Sequence, residues 1–150
     1  MPLSNKINVK QTNKGKAMFA IEDLEKNEII VKIKGNIINH STNTSLQIDN
    51  SKHIEHSLKE DSFANHSCNP NGYINFNDLT FRSLKDIKKG EEITFNYLTT
   101  ELNMNNPFEC LCKNKNCFNH IKGFKYLSLK QKRSINHLSP FLKKKLKESN

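Results

Sequence analysis

Four cysteines have the spacing of a metal site. Cys110, Cys112 and Cys117 crowd into the stretch CLCKNKNC, and Cys68 is the fourth cysteine of the chain. Structural zinc sites are almost always tetrahedral and prefer thiolates, so three neighbouring cysteines need one distant partner. Cys68 is the first candidate for the fourth ligand, and His120 is a substitute. A chance cluster or a strained redox pair is the other interpretation, although a reducing compartment disfavours disulfides.

A dense group of hydrogen-bonding side chains surrounds Cys68. The stretch FANHSCNPNGYINF, residues 63–76, places a histidine, a proline and several asparagines between apolar residues. A polar small-molecule pocket needs such directed groups and little bulk. Asparagines also hydrogen-bond buried backbone in irregular turns, so Asn65, Asn69 and Asn71 could serve either purpose.

Length and composition narrow the class of protein. The chain has 150 residues, of which 35% are hydrophobic, and this suffices for one compact domain. Its net charge of +9 would attract nucleic acid, an acidic protein surface or anionic lipid, but the lysines are spread along the chain. No run approaches the ~20 apolar residues of a membrane span, and the start MPLSNKINVK lacks the apolar core of a secretory signal. We expect a monomer without a membrane partner, cytoplasmic if bacterial and nuclear or cytoplasmic if eukaryotic or viral.

Short alternating apolar runs predict a mainly β protein with about seven strands. The runs are KINVKQT, AMFAI, EIIVKIKG bounded by Asn27 and Gly35, LQI, GYINFND, LTFRSL and EEITFNYL. GYINFND and LTFRSL predict a hairpin that turns at Asn77 and Asp78, whereas KHIEHSLKED has no clean period. Helical signals come only near the end of the chain. SLKQKRSINHL predicts one helix, and Ser139 followed by Pro140 predicts the start of a second, PFLKKKLKE.

Three motifs and the cysteine loop follow one another in a characteristic order. GKAMFA, NHSCNPN and GEEITFNY, followed by CLCKNKNC, resemble the SET domain family of protein lysine methyltransferases with a post-SET zinc-binding loop, especially its small stand-alone microbial members. The resemblance covers roughly residues 5–127. It implies short curved β-sheets with a pseudoknot, a zinc-stapled post-SET loop and short C-terminal helices. The implied division is a SET domain over residues 1–105, the post-SET loop over 106–127 and a basic helical tail over 128–150.

The resemblance also assigns roles to individual residues. Tyr97 corresponds to the family's catalytic tyrosine, and Phe95 occupies the position that sets how many methyl groups are added. Zn2+ would be held by Cys68, Cys110, Cys112 and Cys117. The cofactor, S-adenosylmethionine, would be bound by Gly15, Lys16, Ala17, Asn65, His66 and Tyr97.

Three departures from the family pattern concern the same region. Ala17 stands where the second glycine of Gly-x-Gly is usual, and Asn96 replaces the commoner aspartate while keeping an acceptor oxygen. Thr44 and Ser45 are small where many relatives carry an aromatic residue, so this side of the substrate channel would be open or completed by the substrate. Tyr73 and Tyr126 are further candidates for the catalytic hydroxyl, and Tyr126 could close the channel from the C-terminal segment.

The implied reaction requires a neutral amine. Free lysine has a pKa near 10.4, so deprotonation at neutral pH costs roughly 4.5 kcal/mol. An apolar channel beside the positive charge of the cofactor lowers that pKa, and a tyrosine hydroxyl can orient the amine. We therefore expect methyl transfer to a lysine of a protein or peptide, with a histone as one candidate substrate. The alternatives are a catalytically weak SET-like binding module and a basic, zinc-stabilised protein whose LKKKLK run binds nucleic acid.

Overall fold

The computed structural model describes residues 6–56 and 64–149, and in it the short apolar runs form a mainly β architecture. Strands are brief because Gly, Asn and Asp interrupt the apolar runs and favour turns. The described strands are β1 (Ile7–Thr12), β2 (Gly15–Ala20), β3 (Ile29–Lys32), β4 (Gly35–Ile38), β5 (Leu46–Asp49), β6 (Lys52–His56), β7 (Asn65–His66), β8 (Gly72–Asn75), β9 (Thr80–Ser83), β10 (Glu92–Phe95), β11 (Phe108–Glu109) and β12 (His120–Ile121).

These strands form four small sheets. The orders are β1-β2-β10-β7, β3-β9-β8, β4-β6-β5 and β11-β12. Met18, Leu24, Ile87 and Ile93 are at most 2% exposed and form the centre of the core between the sheets. Burying such side chains supplies the main favourable free energy of folding.

The middle strand β10 brings the sequence motifs together. It pairs antiparallel with β2, where Ile93 lies opposite Met18, and parallel with β7, where Phe95 lies opposite His66. The side chain of Asn71 extends this contact, because its Oδ1 accepts from the Thr94 amide at 2.9 Å and its Nδ2 donates to the Glu92 carbonyl at 2.8 Å. GKAMFA, NHSCNPN and GEEITFNY therefore share one sheet.

The C-terminal part adds short helices. A 3-10 turn over Phe124–Tyr126 precedes α1 (Leu129–Ser134) and α2 (Pro140–Glu148). The hydroxyl of Ser139 accepts from the Leu142 amide at 3.1 Å, which confirms the predicted N-cap of α2. None of the described helices is long and apolar enough to cross a lipid bilayer.

The structure confirms the mainly β prediction but has twelve described strands, not about seven. EIIVKIKG is not one strand: β3 ends at Lys32, and β4 starts at Gly35 in another sheet. KHIEH, which has no clean period, forms β6 because it pairs with β4 on one side and β5 on the other. The hairpin around Asn77 and Asp78 is present as β8 and β9. Helix α1 covers only 129–134 of the predicted 128–138, since the backbone of Ile135 is extended, with φ −84° and ψ 127°.

Candidate functional site

The four cysteine sulfurs converge on one point. All four Sγ atoms lie within 4.8 Å of one another, and Cys68 Sγ is 3.8 Å from the sulfurs of both Cys110 and Cys117. A tetrahedron with Zn–S bonds near 2.3 Å has sulfur–sulfur edges of about 3.8 Å, so the group fits Zn2+. These separations exceed the ~2.05 Å of a disulfide bond. His120 is exposed beside Glu109 and lies outside the cluster.

Backbone amides support the same sulfurs. The Phe118 amide donates to Cys68 Sγ at 3.3 Å, and the Asn119 amide donates to Cys117 Sγ at 3.4 Å. Burial raises the pKa of the Cys110 thiol to about 11 and also raises the pKa of Cys68. These two thiols stay protonated in the absence of a cation, whereas a bound divalent metal would hold them as thiolates. Cys112 differs, because burial is outweighed by hydrogen bonds with Asn114 and its neighbours, which lower its pKa to about 6.

His66 connects this cluster to Tyr97. Its Nδ1 accepts a hydrogen bond from the Tyr97 backbone amide at 3.1 Å, and its Nε2 lies 3.3 Å from Cys68 Sγ. Burial lowers the pKa of His66 to about 4, so the ring is neutral at physiological pH. Because Nδ1 accepts, the single ring proton belongs on Nε2, from which it is donated to the sulfur.

Four of the residues predicted to bind a cofactor, Gly15, Lys16, Ala17 and Asn65, lie together at the start of β2. Asn65 Nδ2 donates to the Lys16 carbonyl at 3.2 Å and to Glu92 Oε2 at 3.0 Å. Gly15 has a φ of 104°, which disfavours other residues, and a Cβ placed there would meet no atom within 4 Å. Ala17 is only 1% exposed, so a ligand would reach Gly15 and Lys16 first.

A cavity of about 210 Å3 lies beside Tyr97 and Phe95. The Tyr97 hydroxyl donates to the Ala64 carbonyl at 2.8 Å, which leaves its oxygen lone pairs available to a ligand. Burial and the nearby negative charge of Glu92 hold the pKa of Tyr97 well above its usual range. The described residues that line the cavity are Val31, Ile33, Thr42, Asn43, Thr44, Ser45, Leu46, His56, Ala64, Ile74, Phe81, Phe95, Tyr97, Thr100, Glu101, Met104, Asn105, Asn106 and Phe108.

Phe108 supplies an aromatic wall that the sequence did not indicate. Its ring meets those of Tyr97 and His66 edge to face, with centroids 6.0 and 5.8 Å apart. Thr44 and Ser45 line the cavity as small residues. Asn105 Nδ2 donates to Asn43 Oδ1 at 2.7 Å, which joins the segment before Phe108 to the segment that carries Thr44 and Ser45. The cavity is therefore partly enclosed by the segment that precedes the cysteine loop.

Glu101 and His56 also line the cavity and escaped prediction from the sequence. Glu101 is 7% exposed, and burial raises its pKa to about 7. The available signal was an acidic residue inside the otherwise uncharged run YLTTEL. His56 ends β6, whose strand character was itself not predicted.

The two other tyrosines lie away from the described lining of the cavity. Tyr73 donates to Asn27 Oδ1 at 3.3 Å and stacks on His137. Tyr126 is 55% exposed and donates to Asn103 Oδ1 at 3.1 Å. Asn96 Oδ1 accepts from the Leu98 amide at 2.9 Å, and an aspartate at this position could accept the same hydrogen bond.

Comparisons with known proteins identify a matching family profile and several relatives. The profile of the SET domain family matches residues 15–98. A variant-silencing SET domain-containing protein of Plasmodium falciparum is 32% identical over 142 residues, covering 76% of this chain and 6% of that protein. A histone-lysine N-methyltransferase of Saccharomyces cerevisiae, H3 lysine-36 specific, is 29% identical over 137 residues, covering 76% of this chain and 19% of the relative.

The fold has a counterpart among solved structures. The crystal structure of KRYPTONITE in complex with mCHG DNA and SAH superposes with a TM-score of 0.63 at 18% identity, covering 80% of this chain and 30% of the other. At this identity the similarity concerns the fold alone. This chain thus spans a small part of the length of all three proteins.

Proposed function

The chain belongs to the SET domain family, and from that premise we propose that it transfers methyl groups from S-adenosylmethionine to the ε-amine of a protein lysine. The observation that carries the proposal is the position of Tyr97. Its backbone amide is bonded to His66 of the NHSC motif, and its hydroxyl lies at a partly enclosed cavity beside Phe95. The hydrogen bond holds the backbone of Tyr97, and the cavity gives an amine access to its side chain.

Gly15, Lys16, Ala17, Asn65, His66 and Tyr97 are the proposed cofactor-binding residues. When bound, S-adenosylmethionine supplies a methyl group on a positively charged sulfur. The fit of the residues rests on the hydrogen bond from Asn65 to the Lys16 carbonyl and on the open space above Gly15. Lys16 is exposed at this edge, and Ala17 is covered by its neighbours.

The cavity would prepare the amine for reaction. Its aromatic and aliphatic walls remove water from a lysine side chain, and this desolvation lowers the pKa of the amine. Tyr97 donates its own proton to Ala64, so its oxygen can accept an N–H of the amine and orient the nitrogen lone pair. Because the pKa of Tyr97 is raised, this hydroxyl stays protonated and acts by orientation.

The cysteine cluster would hold one structural Zn2+ through Cys68, Cys110, Cys112 and Cys117. A metal with four thiolate ligands has no open position, so its role is to fix the chain rather than to take part in chemistry. It would fasten a post-SET loop, residues 106–127, onto a SET domain formed by residues 1–105. Residues 128–150 would then be a basic helical tail.

The substrate is proposed at the level of a protein lysine, with a histone as one candidate. The S. cerevisiae relative is named for histone H3 lysine 36, but this chain spans 19% of that protein. The regions of the relatives that have no counterpart here could contribute to their substrate choice.

The test is incubation of the purified chain with S-adenosylmethionine labelled in the methyl group. Whole-cell protein and nucleosomes serve as separate substrates, and mass spectrometry locates any modified residues. We expect methyllysine with the natural chain and little with the Tyr97→Phe variant. Methylation of another residue type would reject the proposed acceptor. Absence of cofactor binding, together with tight binding of nucleic acid, would favour the alternative of a basic binding module.

A further inference from the structure

A buried carboxylate faces the cavity in which the target amine is proposed to lie. Glu101 follows Tyr97 by one turn, and its amide donates to the Tyr97 carbonyl at 3.0 Å. Only 7% of the residue is exposed, yet it belongs to the lining of the cavity. The two residues are therefore fixed by one short segment on the same cavity.

The two oxygens of the Glu101 carboxylate differ in their hydrogen bonds. Oε2 accepts from the Gln47 amide at 3.0 Å and from the Thr100 hydroxyl at 2.7 Å. Oε1 has no hydrogen-bond partner among the residues that the structure describes. A buried acid with a free oxygen at a cavity is costly unless a ligand supplies a donor.

Among the titratable groups at the cavity, Glu101 is the candidate to carry a negative charge. No lysine or arginine occurs among the described lining residues. His56 of β6 faces the same space, and burial lowers its pKa, so it is neutral near pH 7. Tyr97 keeps its proton. Glu55 accepts from Thr42 and Thr44, and although burial opposes it, these hydrogen bonds lower the pKa of Glu55.

We propose that Glu101 is a substrate-binding residue whose carboxylate binds the ammonium form of the target amine in the cavity and accepts one of its protons. The inference rests on the proposed function for the identity of the amine. In the transfer an N–H bond breaks and its electron pair stays on nitrogen. An O–H bond forms at Oε1, which yields a neutral amine and a neutral carboxylic acid. The proton returns to solvent before the next turnover.

The pKa difference between donor and acceptor makes proton transfer to Glu101 easier than transfer to an exposed glutamate. The pKa of free lysine exceeds that of an exposed glutamate by about six, which makes proton transfer to such a glutamate rare. Burial raises the pKa of Glu101 to about 7, which reduces the difference to about three. The apolar walls reduce it further by lowering the pKa of the amine. Tyr97 orients the nitrogen, and Glu101 removes the proton that would block its lone pair.

Binding of n-butylammonium to the full chain tests the site without any methyl transfer. The probe is charged at both about pH 5.5 and about pH 8, so a change in its affinity reports on the protein. We expect binding, followed by NMR, to be about tenfold tighter at the higher pH, where Glu101 is ionised. Glu101→Gln, which can keep the bonds from Gln47 and Thr100, should bind weakly at both values. Glu55→Gln, the matched control, should behave as the natural chain.

The rate of methylation of a lysine peptide gives the second readout. Glu101→Gln should reduce kcat/KM about 100-fold near neutral pH, and the deficit should shrink toward pH 10 as the amine loses its proton unaided. An equal deficit at every pH, or unchanged butylammonium binding in the variant, would overturn the role of Glu101. A natural chain that binds butylammonium through Glu101 but methylates no protein would support the amine site and reject the proposed function.

Discussion

The backbone amide of Tyr97 donates to the imidazole Nδ1 of His66 at 3.1 Å. The other ring nitrogen of His66 lies 3.3 Å from a sulfur of the cysteine cluster. One neutral ring therefore fixes the backbone of the proposed catalytic tyrosine and supports a proposed metal ligand. Outer partners of this kind orient metal ligands and tune their basicity.

Replacing His66 by Phe should weaken both attachments while keeping an aromatic ring. The Tyr97 amide would lose its partner in a largely buried position, so we expect a loss of about 1–3 kcal/mol in the free energy of unfolding. Zinc affinity should fall about 10–100-fold. Denaturant unfolding and competition with a chelator measure the two effects. His40→Phe, at an exposed histidine, is the control. Unchanged zinc affinity in His66→Phe would separate the ring from the metal site.

Tyr97→Phe should leave cofactor binding within a few-fold and reduce methyl transfer by about two orders of magnitude or more. In the proposed role, the hydroxyl positions the amine in the transition state, where one lost hydrogen bond costs about 2.7–4 kcal/mol. Calorimetry with the cofactor and single-turnover kinetics measure the two quantities. Tyr126→Phe removes an exposed hydroxyl and should have little effect. Equal turnover in the Tyr97 variant would assign the role to another group.

Phe95→Tyr should shift the product toward monomethyllysine. The Phe95 ring lies 4.9 Å from that of Tyr97 and carries no hydroxyl to hold a water or the amine, so the natural chain should form di- or trimethyllysine. Thr44 and Ser45 act in the same direction, because small walls leave space whatever occupies position 95. Mass spectrometry of a peptide at exhaustive conversion measures the product. A natural chain that stops at monomethyllysine would show that something other than the Phe95 ring limits the space.

Removal of zinc should loosen the C-terminal segment and lower activity together. Cys68 lies far in sequence from the other three cysteines, so a bound metal would connect distant parts of the chain. We expect one zinc per chain by elemental analysis. Hydrogen exchange should increase in residues 106–127 when a chelator is added. Folded, active protein without zinc would contradict this prediction.

Glu101→Gln should stabilise the fold increasingly as the pH rises. The pKa of Glu101 is about 7 in the folded chain against 4.5 when unperturbed, so the folded state binds more protons between these values. The stability that this group contributes is present below pH 4.5 and is lost as the pH rises through 7. The difference between variant and natural chain should grow by up to about 3 kcal/mol.

Unfolding by denaturant at a series of pH values measures this difference, and Glu55→Gln is the control with the opposite sign. Because the pKa of Glu55 is lowered on folding, its contribution appears as the pH rises. The control should therefore lose stability, relative to the natural chain, over the acidic range. Parallel curves for Glu101→Gln and the natural chain would contradict a raised pKa.

Local pattern predicted the strands whose apolar residues alternate and the cap of the last helix. It missed β4 and β6 because their pairing partners, rather than their composition, make them strands: Ile37 in β4 is 63% exposed and pairs with Ile54. The convergence of the four cysteines and the pairing of the NHSC and FNY segments could be predicted, because their residue types and order follow a known family pattern. Glu101 and Phe108 could not, since a lone acid or aromatic gains its meaning only from the cavity around it.

The position of β10 between β2 and β7 also determines when the sheet can form during synthesis of the chain. When the β1–β2 hairpin leaves the ribosome, the edge of β2 that later receives Glu92 and Ile93 has no partner. An unpaired edge is a template for pairing with another chain. The sheet cannot close until residue 95 has emerged. The cysteine cluster forms later still, because Cys110 and Cys117 emerge after Cys68. We therefore expect the nascent chain to expose this edge for longer than a local hairpin would, since such long-range pairing is slow to form.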